Sequence, residues 1–193
     1  MRIKIDLDGV IRDIVTPMCH VYNRDVPHGT KVRPGDIVHY DVGVMFPQIA
    51  ECEKYDGLCV RDIFFTGENA RTVFLDRALI IPGSVEAIRR MMDAGHTVSI
   101  VTWQMNEDNI RYAIEFLSRH KVPYDEIMFT HAKEMVITDF AVDDNPEFLE
   151  PEGREVGKIL IDAPYNKWYD RAVRKNSLAD AAEYILTFKQ ETT

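Results

Sequence analysis

The 193-residue sequence is poor in cysteine and has no apolar run long enough to span a bilayer. Its three cysteines, Cys19, Cys52 and Cys59, are odd in number and lack C-x-x-C spacing, which argues against a disulfide framework and against a zinc knuckle. Six histidines are present, and no two stand at a spacing that suits a metal. No basic-then-apolar leader precedes the first strand, so the expectation is a cytoplasmic protein without membrane contact. Positive charge is scarce too. With 23 Lys and Arg against 32 Asp and Glu the net charge is −9, and such a surface repels a polyanion, which disfavours a long nucleic acid as partner. A small anionic substrate remains compatible if a local cation meets it, and a divalent metal could supply that charge.

What is present is a regular alternation from Pro82 onward. PGSVEAIRRMMDAG predicts a helix capped by Ser84, with Val85, Ile88, Met91 and Met92 at helical spacing and Gly95 as its stop. HTVSIVTW reads as a strand, and NEDNIRYAIEFLSRH as an amphipathic helix with Ile110, Ala113, Ile114 and Leu117 on one face. Strands at EIMF, TDFAVDD and GKILIDA, a short turn or helix at HAKEM and a last helix near SLADAAEYILTF complete the series. The fold class is therefore α/β, a Rossmann-like core with a parallel sheet flanked by helices. Between residues 15 and 78 the regularity fails. Pro17, Pro27, Pro34 and Pro47 interrupt it, and Tyr22, Tyr40, Phe46, Tyr55, Phe64, Phe65 and Phe74 gather there. The expected division is a core of residues 1–15 and 79–193 and a small, mainly helical cap of residues 16–78 inserted after the first strand. That strand is a partial misfit, because Arg2 and Lys4 break the apolar run of a strand buried on both faces.

The chemistry concentrates where the first strand ends, in IDLDGV. Asp6 and Asp8 point to the same side there, and two anions so close call for a cation or a shared proton. Ligands of an open α/β sheet bind beyond the carboxyl ends of its strands, which gathers Asp6, Asp8, Thr102, Asp143 and Asp144, with Lys133 on the segment feeding the last of these strands. The set suits phosphoryl transfer through an aspartyl-phosphate: a carboxylate attacks phosphorus, a second acid serves the leaving oxygen and then water, and cations neutralise the moving group. Mg2+ is the matching cofactor, a hard ion that prefers carboxylate, water and phosphate oxygens.

These motifs, D-x-D-G-V at Asp6 to Val10, a strand ending at Thr102, Lys133 and the Asp143–Asp144 pair, resemble in kind and order those of the haloacid dehalogenase superfamily of phosphatases. The resemblance implies that Asp6 is the nucleophile, Asp8 the general acid/base with its backbone carbonyl on the metal, Lys133 the orienting cation and Asp143–Asp144 the remainder of the metal site. DGVIRD, IIPGSVEAI, the lysine ten residues ahead of the doublet and LIDAPYN are more narrowly similar to the 5′(3′)-deoxyribonucleotidases. This implies a nucleoside monophosphate as the small phosphorylated substrate; a homodimer is compatible. Trp103 and Gln104 depart from the small residue and proline expected after Thr102. Trp103, Phe64 and Phe65 are the candidates for touching substrate, beside Asp8, Thr102 and Lys133.

Plainer readings stand next to these. D-x-D-G also opens calcium loops, but Val10 and Ile11 follow where such a loop needs oxygen ligands. Asp143–Asp144 could cap a helix at Pro146, Thr102 could be an ordinary strand residue, and the cap aromatics could be the cap's own core. Arg12 reads either as reaching substrate or as solvated, Asp139 and Asp162 as strand-end caps, and His131 as a loop residue. Sugar phosphates and nucleic-acid 3′ ends are alternative substrates. A receiver-like signalling module shares the residue types but places its acidic pair on the first strand and its lysine last, the reverse of the order here.

Overall fold

The computed structural model describes residues 1–26, 28–149 and 157–188, so Pro27 lies outside the described residues. Strand β1 (Arg2–Ile5) leads through a tight turn to β2 (Arg12–Asp13) and helix α1 (Val15–Asp25). Short helices α2 (Val42–Met45), α3 (Val60–Phe65) and α4 (Gly67–Arg71) follow, then a π-helical turn at Thr72–Asp76 and strand β3 (Leu79–Ile80). The remainder alternates at first and then runs from strand to strand, with only 3-10 turns among the described residues between β5 and β8: α5 (Ser84–Asp93), β4 (Thr97–Thr102), α6 (Glu107–Arg119), β5 (Glu126–Phe129), β6 (Phe140–Asp143), β7 (Gly157–Ile161), β8 (Val173–Lys175) and α7 (Leu178–Thr187). Six strands form one parallel sheet in the order β5-β4-β1-β6-β7-β8, which puts β1 and β6 side by side in its middle. The Rossmann-like α/β reading holds.

Parallel strands covered on both faces read as apolar runs, and SIVT of β4 and FAV of β6 do so. Register then fixes the site. Ile5 lies level with Ile100 and with Val142, and the Asp6 amide donates to the Val142 carbonyl at 2.9 Å. The residues that follow, Asp6, Thr102 and Asp143, therefore emerge at one edge of the sheet.

Several local expectations are corrected. Gly83, left-handed at φ 83°, caps α5, so Ser84 is its first helical residue, and its hydroxyl donates to the Ile81 carbonyl at 2.6 Å. On α6 the buried stripe is Asn109, Tyr112, Ala113, Phe116 and Leu117, whereas Ile114 is exposed. The aromatic rings of Tyr112 and Phe116 carry more apolar area than the two isoleucines and turn the helix to bury it. Strands β2, β3 and β8 have no counterpart in the sequence reading, since two or three residues are too few to show an alternation. β2 and β3 pair antiparallel and close a neck where the irregular segment leaves the core and returns to it.

That segment is held by rings rather than by regular elements. Phe46 contacts Tyr22 at 5.4 Å and Phe64 at 5.0 Å between centroids, and Phe46 and Phe64 are completely buried. Burial of each such side chain contributes about 1.5–3 kcal/mol. Among the described residues no helix is long and apolar enough to cross a membrane.

Candidate active site

The turn after β1 is wound on a single acceptor: the Leu7 carbonyl takes the amides of Ile11 at 2.9 Å and Arg12 at 2.8 Å. Gly9 sits at φ 81°, and a Cβ there would lie 2.1 Å from an Asp144 carboxylate oxygen, so only glycine lets the turn approach the β6 end this closely. Asp6, 4% exposed, has one oxygen 2.9 Å from the Lys133 ammonium and accepts the Leu7 amide at 2.7 Å. Lys133, also buried, donates to Asp143 at 2.9 Å and stands 4.2 Å from the centroid of the Phe148 ring. The other Asp143 oxygen accepts the Asn145 amide at 2.9 Å.

Ligand oxygens of Asp6, Asp143 and Asp144 lie within 4.8 Å of one another. This crowding shows in their proton affinities. Burial first, then the neighbouring carboxylates of Asp143, Asp144 and Asp8, lift the Asp6 pKa well above the usual range against the pull of Lys133. Burial and Asp143 push Asp144 up to about 7, although Tyr165 donates a hydrogen bond to it. Burial works against the charge of Lys133, but Asp143 and Asp6 beside it prevail and hold its pKa above that of an ordinary lysine. Asp144 Oδ1 is buried and has no partner among the described residues. A cluster of hard oxygens short of positive charge, with one oxygen unpaired, fits a divalent cation such as Mg2+.

Asp8 is held differently. Arg12 takes both its oxygens, Nε to Oδ1 at 2.6 Å and a terminal nitrogen to Oδ2 at 3.0 Å, and Gln104 donates to Oδ2 at 3.0 Å. Arg12 corrects both of its sequence readings. It neither reaches into the cavity nor meets solvent: it is fully buried, donates to the Phe74 carbonyl at 2.8 Å and lies over the rings of Phe74 and Phe116. Gln104 also donates to the Thr102 hydroxyl at 3.1 Å, so the unexpected residue after Trp103 links two of the candidate groups.

Above this floor a cavity of about 1050 Å³ opens between the strand ends and the irregular segment. Asp6, Asp8, Thr102, Lys133 and Asp144 line its base, and Trp103 and Phe65 its walls. Arg61 of α3 lies 5.4 Å from the Trp103 ring, and His131 meets that ring edge-on. The structure does not bring Phe64 to the cavity. It is packed on Phe46, because α3 turns one of its two adjacent phenylalanines inward and the other toward the opening. Asp143 lies behind the floor, on Lys133. Asp139 and Asp162 bind Arg2 and Arg174 at strand ends, as caps do. Tyr165 is the site residue that sequence reasoning missed, and for Arg12 and Gln104 it missed the partner, Asp8. LIDAPYN was the available signal for Tyr165 and DGVIRD for Arg12, four residues after Asp8, while Gln104 showed only as a departure after Thr102; what each of them bonds appears once the chain has folded.

Comparison with known proteins follows the same lines. The model of the family described as "5′ nucleotidase, deoxy (Pyrimidine), cytosolic type C protein" matches residues 1–191. A curated relative from Chlorobaculum tepidum, named "Putative 5′(3′)-deoxyribonucleotidase", is 26% identical over 199 residues, covering 96% of this chain and 90% of its own. Among solved structures, a HAD family hydrolase from Deinococcus radiodurans with bound phosphate and sodium has a TM-score of 0.64 at 13% identity, covering 95% of this chain and 94% of its own. A D,D-heptose 1,7-bisphosphate phosphatase from B. bronchiseptica, complexed with magnesium and phosphate, has a TM-score of 0.52 at 13% identity over 96% and 97%. At such identities these two structures speak for the fold alone.

Proposed function

Because the chain belongs to the cytosolic type C family of deoxy (pyrimidine) 5′ nucleotidases, and so is a phosphatase of the haloacid dehalogenase type, we propose that it is a Mg2+-dependent 5′(3′)-deoxyribonucleotidase working through an aspartyl-phosphate on Asp6. The observation that carries this reading is the buried Asp6 carboxylate, 2.9 Å from Lys133 and crowded by Asp143 and Asp144 at the bottom of an open cavity.

In this reading Asp6 attacks the substrate phosphorus as the bond to the leaving oxygen breaks, and Asp8, which must enter this step as the carboxylic acid with one of its Arg12 bonds released, gives that oxygen its proton. Asp8 then takes a proton from water, which attacks the phosphoryl group on Asp6 and frees inorganic phosphate and the Asp6 carboxylate. Lys133 and the Thr102 hydroxyl hold the phosphate oxygens while charge moves between them. Asp6, Asp144 and the Asp8 carbonyl would hold Mg2+, with Asp143 supporting from behind. The ion would supply the positive charge that lets an anionic nucleophile meet an anionic substrate. Residues 16–78 act as a cap over residues 1–15 and 79–193, and Phe65 and Trp103 offer flat apolar walls to a nucleobase. The signalling-module alternative draws no support from the family match.

The test is a phosphate-release panel with Mg2+ over ribo- and deoxyribonucleoside monophosphates and sugar phosphates. Deoxyribonucleotides should give the highest kcat/KM. A ranking in which sugar phosphates equal or exceed nucleotides removes the nucleotidase assignment and leaves the phosphatase chemistry standing.

A further inference from the structure

Lys4 is the residue that fits its strand least. It lies in β1 at the middle of the sheet, where an apolar side chain belongs, and is only 5% exposed. A buried ammonium gives up its hydration at a heavy cost unless bonds replace it. A methionine of similar length would fill this space without that cost, so the amine points to a task that packing does not explain.

Its bonds show the task. The Lys4 ammonium donates to the Lys133 carbonyl at 3.1 Å and to the Val136 carbonyl at 2.9 Å. These acceptors flank a single 3-10 turn, Lys133–Met135, whose preceding residue Ala132 gives it no side-chain cap. Met135 and Ile137 of the same stretch are exposed, so little packing holds the turn from outside. Two residues further along, just past the end of β1 and on the same side, Asp6 grips the other end of Lys133 by its ammonium at 2.9 Å. The strand and the residue that follows it thus hold Lys133 twice, by its carbonyl through Lys4 and by its head through Asp6.

We infer that Lys4 is a positioning residue for Lys133: it fastens the turn that carries this cation to β1 and so fixes where the ammonium meets Asp6 and the substrate phosphate. The inference rests on the reading of Lys133 as the group that orients phosphate. Lys4 is not among the residues that line the cavity, and the effect inferred for it on the reaction is exerted through Lys133.

A double-mutant cycle tests this with p-nitrophenyl phosphate as substrate and inorganic phosphate as competitive inhibitor, Mg2+ being present throughout. Lys4→Met keeps the side-chain volume and removes the donors. It should lower kcat/KM by about 10- to 100-fold, the scale of a misplaced catalytic group, and weaken phosphate inhibition. In a Lys133→Met background the same change should have almost no further effect, whereas general damage to the fold would multiply through. Near-UV circular dichroism checks that each variant is folded. Wild-type activity in Lys4→Met, or a double variant equal to the product of the two singles, overturns the inference. Wild-type activity in Lys133→Met instead removes the reading beneath it. If Lys4→Met does not fold, Lys4→Gln, which retains a donor, is taken round the same cycle and should show a smaller loss that again vanishes without Lys133. If neither variant folds, Lys4 is a folding element and the inference fails.

Discussion

The floor of the cavity and its roof are built on opposite plans. On the floor each functional group stands at the end of a strand or on a turn tied to one, and the register of β1 against β4 and β6 sets its place. Polar atoms dominate, several of them buried, and the carboxylates raise one another's proton affinity. The roof is a series of helices, mostly of four to six residues, held by the Tyr22, Phe46 and Phe64 rings, with polar networks such as Asp25, Tyr55 and Asn69 at its edge. Apolar burial holds the roof together, and repulsion is stored in the floor. A substitution on the floor should therefore cost activity more than stability, and one in the roof the reverse.

The sharpest break in that contrast comes at Asp6. Asp6→Asn keeps size and shape but removes the nucleophile, and turnover should fall by about 1,000-fold or more while near-UV circular dichroism stays unchanged. Retained turnover would mean that the floor is not the reacting centre. In the roof, Phe46→Ala should destabilise the protein by about 3–5 kcal/mol in urea unfolding, because it empties the centre of the aromatic cluster. Its kcat at saturating substrate should change far less than that of Asp6→Asn. A destabilisation under 1 kcal/mol would show that the rings do not hold the segment together.

A smaller effect sharpens the comparison through pH. The folded protein holds Asp144 at a pKa of about 7, against 3.8 for the ordinary side chain. Between these values the folded state keeps a proton that the unfolded chain has released, so the metal-free protein should lose stability as pH rises from about 4 to about 7 and level off above. Asp6, raised in the same direction, adds to the slope. Urea unfolding at successive pH values should show a shallower fall in Asp144→Asn than in the wild type. Equal slopes would remove Asp144 from the strained set.

The two regions also differed in how far the sequence revealed them. Asp6, Asp8, Thr102 and the doublet could be named because a strand end is a local feature, marked by an apolar run that stops at a polar residue, whereas Lys133, on a 3-10 turn, was found through the order of the motifs. The order of the helices and the parallel sheet came from the same patterns. Contacts between residues far apart in the chain stayed hidden, Gln104 on Asp8 and Tyr165 on Asp144, and so did the way the tight turn folds Arg12, four residues on, back onto Asp8. Phe64 and Phe65 show the limit most plainly, since adjacent identical residues give no hint of which faces the cavity. Lys4 looked like a flaw in a strand until the carbonyls of a distant turn were found around its ammonium.

The central claim is that the buried acids tolerate one another because a divalent cation belongs among them. Calorimetric titration of the metal-free protein with Mg2+ measures this directly. The account predicts one bound ion per chain, an accompanying rise in the thermal unfolding midpoint, and loss of both in Asp144→Asn. Absence of binding in the wild type, or binding left intact by that substitution, would contradict it.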